Sequence, residues 1–139
     1  MNLQEQYDFV VEKLRKQGVK SLEQSVESYI NPYDASVSIP LCFYRGHNGL
    51  KCAAGWLIPD EVYTGNMEMK SWDYVVEKFQ DVLPNHLKTY ESKEMVLKLQ
   101  HAHDSYLGEN NKRFEEVLED IASEFNLVYT APKIQEQLQ

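Results

Sequence analysis

The sequence predicts an α+β fold: five or six helices packed around a small antiparallel β-hairpin. Residues 3–17 and 112–125 carry apolar side chains at helical spacing, and residues 71–79 and 92–106 repeat the pattern more loosely. Between two short apolar runs stands Asn48-Gly49, a strong hairpin turn signal because both residues tolerate positive φ.

Taken in order, Leu3, Tyr7, Val10, Val11 and Leu14 make one apolar face of a first helix, and Gly18 stops it. Ser21 to Ile30 is a weaker helical pattern. Asn31 to Ser36 is a loop, and Val37 to Pro40 an extended edge segment limited by its proline. Leu41 to Arg45 forms one hairpin strand and Leu50 to Cys52 the other; with His47 facing Leu50, Arg45 falls opposite Cys52. A helix then starts through Cys52-Ala53-Ala54-Gly55-Trp56-Leu57-Ile58. Glycine inside a helix costs roughly 1 kcal/mol against alanine, so Gly55 implies close approach of another backbone. Pro59 suits a first helical position, with Asp60 and Glu61 complementing the helix dipole.

Thr64 to Lys70 is a loop, and Ser71 caps a helix through Trp72, Val75, Val76 and Phe79 that Leu83-Pro84-Asn85 breaks. Ser92 caps the next helix, which carries Val96, Leu99, His103 and Tyr106 on one stripe. After Gly108 to Asn111 comes the cleanest amphipathic helix, with Phe114, Val117, Leu118, Ile121, Ala122 and Phe125, closed by Asn126 and Leu127. Residues 1–131 are expected to form one globular domain and the polar residues 132–139 a frayed tail.

The formal charge of −8 argues against sequence-independent nucleic-acid binding, which requires lysine and arginine to displace counterions. No apolar run is long enough to span a membrane, and Met1 to Gln6 lacks the basic and apolar parts of a signal peptide, so a cytoplasmic location is expected. Reduced thiols suit that compartment; a Cys42–Cys52 bridge across the hairpin is the alternative.

Candidate chemistry concentrates in residues 42–63, which hold both cysteines and one of the two tryptophans. Cys52 at a helix start, near Arg45 or Lys51, is a candidate nucleophile with a histidine (His47, His86, His101 or His103) as base; the plainer reading is a thiol packed as a small hydrophobe. On a helix, His101 and His103 point about 200° apart and cannot readily share a metal. Cys42, Cys52, His103 and Asp104 are permitted zinc ligands, but the nine residues between the cysteines are far from a zinc-knuckle spacing. No metal and no cofactor are expected; His103 reads equally well as a hydrogen-bonded core residue and Asp104 as a surface charge. Asp60, Glu61 and Glu68 can serve acid–base chemistry or a hard cation, or simply complement a helix dipole. Tyr44, Arg45, Lys51, Trp56 and Tyr63 suit an anionic, aromatic ligand, since arginine forks phosphate or carboxylate and aromatic faces stack on a base; the alternative is an aromatic core with Arg45 on the surface.

The run Cys42-Phe43-Tyr44-Arg45-Gly46, then Gly49-Leu50-Lys51-Cys52-Ala53-Ala54-Gly55, Leu57-Ile58-Pro59-Asp60-Glu61, Tyr63 and Met67-Glu68 resembles a group of small proteins common in tailed phages and some bacteria. Leu99-Gln100 with His103-Asp104 is similar to a later motif of that group, and the likeness covers about residues 1–127. Residues 24–38 and Asn66 to Lys70 depart from the pattern. The resemblance implies a phage origin and a shared site more than a reaction. It joins Arg45, Cys52, Asp60, Tyr63, Glu68, Gln100, His103 and Asp104 in one set, and buried polar residues need partners.

The expected function is small-ligand binding without turnover, by analogy with phage proteins that sequester a nucleotide or ADP-ribose-like defence signal. Tyr44, Arg45, Lys51, Cys52, Asp60, Tyr63, Glu68, Gln100 and His103 are its expected contacts, and a site between identical subunits would suit so small a chain. One alternative is a thiol- or histidine-dependent enzyme using Cys52, His103 and Asp104. The other is an acidic inhibitor docking a basic host protein.

Overall fold

The computed structural model describes residues 1–21 and 43–132. Five α-helices are present there: α1 (Leu3–Gln17), α2 (Ala53–Leu57), α3 (Trp72–Lys78), α4 (Tyr90–Tyr106) and α5 (Asn111–Glu124). Single 3₁₀ turns occupy His47–Gly49, Gly65–Met67 and Asn85–Leu87. The weak helical pattern beyond Ser21, the loop and edge segment up to Pro40, Cys42 with its possible disulfide and zinc roles, and the tail beyond Pro132 lie outside the described residues.

The α+β expectation is corrected, because among the described residues there is no strand and no sheet. The Asn48-Gly49 reversal itself is present: Asn48 has φ 57° and Gly49 φ 77°. Its flanks do not form a ladder. They share only the bonds Gly46 N–H to Leu50 C=O (2.7 Å) and Cys52 N–H to Phe43 C=O (3.2 Å), a different register from the expected His47/Leu50 and Arg45/Cys52 pairs. The amides of Tyr44 and Arg45 donate instead to the Glu68 carboxylate, each at 3.0 Å.

The long helices follow their apolar faces. α1 buries Gln6, Tyr7, Val10, Val11 and Leu14. Asn2 and Glu5 form a reciprocal capping box at its start, and Gly18, at φ 70°, returns its N–H to Leu14 at its end. Ser71 caps α3. α4 begins earlier than expected: Thr89 accepts the Ser92 N–H, and Ser92 itself is buried with its hydroxyl donating to Gln6. α5 buries Phe114, Leu118, Ile121 and Ala122, and ends with Asn126 at φ 62° and a Leu127 N–H to Ala122 C=O bond of 2.7 Å. Pro59 opens only one turn, accepting the Val62 and Tyr63 N–H groups, rather than a helix.

α4 is the central element: α1, α2, α3 and α5 all pack on it, and α2 also packs on α1. Trp72, Tyr7, Phe114, Leu14, Met67, Met95 and Leu99 fill the core. Among the described residues no helix is long and apolar enough to cross a membrane.

Candidate functional site

A five-residue helix is too short to be stable alone, so α2 depends on groups brought to it by the rest of the chain. At its start, Cys52 is the N-cap; its Sγ accepts the Gly55 N–H at 3.4 Å and its side chain is almost fully buried. The Ala54 N–H donates to Gln100 Oε1 of α4 at 3.2 Å. At the other end, the Arg45 guanidinium donates to the carbonyls of Gly55 (2.6 Å), Ile58 (2.8 Å) and Tyr44 (3.3 Å) and to Asp60 Oδ1 (2.9 Å). It lies over the Tyr63 ring at 4.7 Å. An arginine at a helix C-terminus satisfies carbonyls that have no intrahelical partner.

Glu68 holds the segment that carries Arg45. Besides the two backbone amides, its carboxylate accepts the Tyr63 hydroxyl at 2.6 Å. Partial burial and this bond to Glu68 push Tyr63 up to about 12. The Tyr44 ring is buried against Trp72 and its hydroxyl donates to Lys70 C=O. Burial first, then the nearby Cys52, Glu68 and Asp104, raise its ionisation above the usual range.

His103 is fully buried on α4. Its Nε2 lies 2.9 Å from the Ser21 backbone nitrogen and must be the acceptor, which places the ring proton on Nδ1, 2.7 Å from Asp104 Oδ1. Asp104 also accepts from Gln100 Nε2 at 2.9 Å. Ser21, His103 and Asp104 are the residue types of a hydrolytic triad, but the Nε2 lone pair is taken by a backbone amide and both Ser21 and His103 are completely buried.

The outward side of α2 is different. Asp60 is 81% exposed, and its Oδ1 faces both Arg45 Nη2 (2.9 Å) and Lys51 Nζ (3.8 Å). Lys51 lies over the half-buried Trp56 ring at 4.6 Å; Lys13, from α1, lies over the same ring at 5.4 Å and over Phe9 at 5.4 Å. Gln17 fixes Lys51 through both its backbone N–H and C=O.

The ten predicted site residues thus gather around α2 in two groups. Tyr44, Arg45, Lys51, Asp60, Tyr63 and Glu68 surround its C-terminal end, while Cys52, Gln100, His103 and Asp104 secure its start. None of them lines the clefts of about 530 and 580 Å³ that share Arg15 and Tyr129, or that of about 440 Å³ between α4 and α5. Among the described residues no group of three or more His, Cys, Asp or Glu could hold a metal ion. Sequence reasoning missed Phe9, Lys13 and Ser21; Phe9 and Lys13 are four apart on α1, but no local signal marks Lys13 as reaching the Trp56 ring. Compared with family models, with curated proteins and with solved structures, the chain gives no match in any of the three.

Proposed function

We propose that the chain binds a small anionic molecule bearing an aromatic ring, of nucleotide or ADP-ribose type, without turnover, on the outward side of α2. The observation that carries this reading is the exposed Asp60 carboxylate shared by Arg45 and Lys51, two cations that themselves sit over the Tyr63 and Trp56 rings. An exposed ion pair of this kind is worth only about 0–1 kcal/mol, so a ligand phosphate can displace Asp60 and take its place between the same cations. The Trp56 ring, with Lys13 and Lys51 over it, offers a surface on which a planar base can replace a lysine. The formal charge of −8 provides no long-range attraction for such a ligand, so affinity must come from these local contacts. Absence of turnover is supported by the burial of Cys52 and by the engagement of both His103 nitrogens with Ser21 and Asp104. A role in capturing a host signal accords with the resemblance of residues 42–68 to tailed-phage proteins.

The test has two arms. Purified protein is incubated with metabolite extract, washed and denatured, and released molecules are identified by mass spectrometry; ADP-ribose is also titrated calorimetrically. Recovery of an unchanged nucleotide-like anion is expected, with binding weakened at least tenfold in Lys51→Glu and Lys13→Glu and strengthened in Asp60→Asn. No released small molecule and no heat with ADP-ribose would overturn the proposal, and a co-purified host protein would favour the inhibitor reading in its place.

A further inference from the structure

Ser21 and Phe43 are the described residues on either side of residues 22–42, and they are bonded directly to each other. The Ser21 carbonyl accepts the Phe43 N–H at 2.7 Å, and the Phe43 carbonyl accepts the Cys52 N–H at 3.2 Å. At the head of this series stands one imidazole lone pair, since the Ser21 N–H donates to His103 Nε2 at 2.9 Å. Three hydrogen bonds in succession therefore tie the chain after α1, the Phe43 junction and the cap of α2 to a single titratable ring.

The structure assigns His103 the role of a proton-sensitive latch on the Ser21–Phe43 junction. In the neutral ring Nδ1–H donates to Asp104 and Nε2 accepts from Ser21. A second proton would sit on Nε2 and point at the Ser21 N–H, setting donor against donor in a fully buried site. The neutral arrangement also leaves the Ser21 hydroxyl oxygen buried without a hydrogen-bond partner. That oxygen is the acceptor an Nε2–H requires, so the two protonation states call for different placements of residue 21. Either the junction holds with a neutral ring, or residue 21 shifts and the bond from Phe43 loosens with it.

Several groups around the ring bear on its protonation. Asp104 is bonded to Nδ1 and steadied by Gln100. Lys20, next to Ser21 in the chain, is paired with Glu109 at 2.8 Å. Cys52 and Tyr44 lie on the α2 side, and Tyr44 feels both Cys52 and Asp104. The ring is thus held between a carboxylate at Nδ1 and an amide donor at Nε2.

The latch is tested by nuclear magnetic resonance on the intact chain between pH 8 and pH 5, the interval in which imidazole most often changes charge. At pH 8 the ring nitrogens should report the Nδ1–H form. As the ring protonates, the Ser21 and Phe43 amide resonances should shift with its midpoint, and their hydrogen-exchange protection should fall roughly tenfold or more while α5 amides keep theirs. His103→Gln retains an acceptor for Ser21 but does not titrate, so its junction protection should be constant over the same interval. An Nε2–H form at pH 8, a ring that remains neutral to pH 5, or junction amides that ignore its titration would each overturn the assignment. So would a folded His103→Gln protein with the wild-type pH profile; if that variant does not fold, the wild-type titration decides alone.

Discussion

Gly55→Ala tests the packing on which the whole segment depends. A Cβ at residue 55 would lie 2.2 Å from the Tyr44 carbonyl oxygen, 3.0 Å from its carbon and 3.1 Å from the Tyr44 Cα. All three are backbone atoms, so no side-chain rotation relieves the overlap. Tyr44 cannot retreat freely, because its own amide is held by Glu68 and its hydroxyl by Lys70. Overpacking of this kind costs roughly 1–3 kcal/mol and occasionally more, and a contact as short as this one belongs at the upper end. Against it stands the helix propensity recovered by alanine, about 1 kcal/mol. The expected net loss is about 2–3 kcal/mol, which for a chain of this length lowers Tm by roughly 6–15 °C. Circular dichroism during thermal and urea unfolding measures both quantities. Gly65→Ala is the reference: nothing lies within 4 Å of its Cβ, and its change should stay within about 0.5 kcal/mol. A Gly55→Ala protein as stable as the parent, or more so, would mean that the Tyr44 carbonyl does not lie against α2.

Glu68→Gln keeps the side-chain shape but sets an amide donor against one of two backbone N–H groups, so a loss of about 1.5–3 kcal/mol in urea unfolding is expected; an unchanged midpoint would contradict the carboxylate's role. Tyr63 and Tyr129 are each pushed up to about 12 by burial and a bond to a glutamate. Their folded values lie above the unfolded value near 10, so the stability they contribute is whole below pH 10 and is lost as pH rises towards 12; Tyr63→Phe and Tyr129→Phe should each flatten that decline in alkaline unfolding curves. Cys52, measured in a Cys42→Ser background, should react with a thiol reagent no faster than the protein opens, since its sulfur is buried and accepts the Gly55 N–H. Rapid modification at neutral pH would restore the thiol-enzyme alternative.

What was legible in the sequence follows from the range of the interactions involved. α1 and α5 were readable because their apolar periodicity and their terminal Gly18 and Asn126 are local. Ser92 reads as the cap of α4 where Thr89 caps it, because either hydroxyl can cap and only the burial of Ser92 against Gln6 separates them. The hairpin failed for a sharper reason. Asn48-Gly49 reports a chain reversal, not what the flanking amides bond to. Those of Tyr44 and Arg45 are taken by a carboxylate 24 and 23 residues away. The polar residues of the motif could be named from sequence, but that Arg45 caps α2, that Gln100 reaches the Ala54 amide and that Lys13 joins Lys51 over Trp56 are tertiary facts.

These contacts also explain why so polar a motif surrounds so small a helix. α2 must be buried, since Ala53, Ala54, Gly55 and Leu57 all face the core, yet its five residues leave most of its backbone groups without intrahelical partners. Burying such groups unpaired costs more than a short helix can gain. Cys52 and Gln100 answer the N–H groups at one end, and Arg45 answers the carbonyls at the other. Glu68, Tyr63, His103 and Asp104 then hold those partners, or the segments that carry them, in position. Interior duties of this kind consume the groups that would otherwise suggest an active site. Among the groups of this motif the Asp60 carboxylate stands apart: it is exposed and bridges two cations beside aromatic rings, whereas the thiol and the imidazole are buried and already engaged.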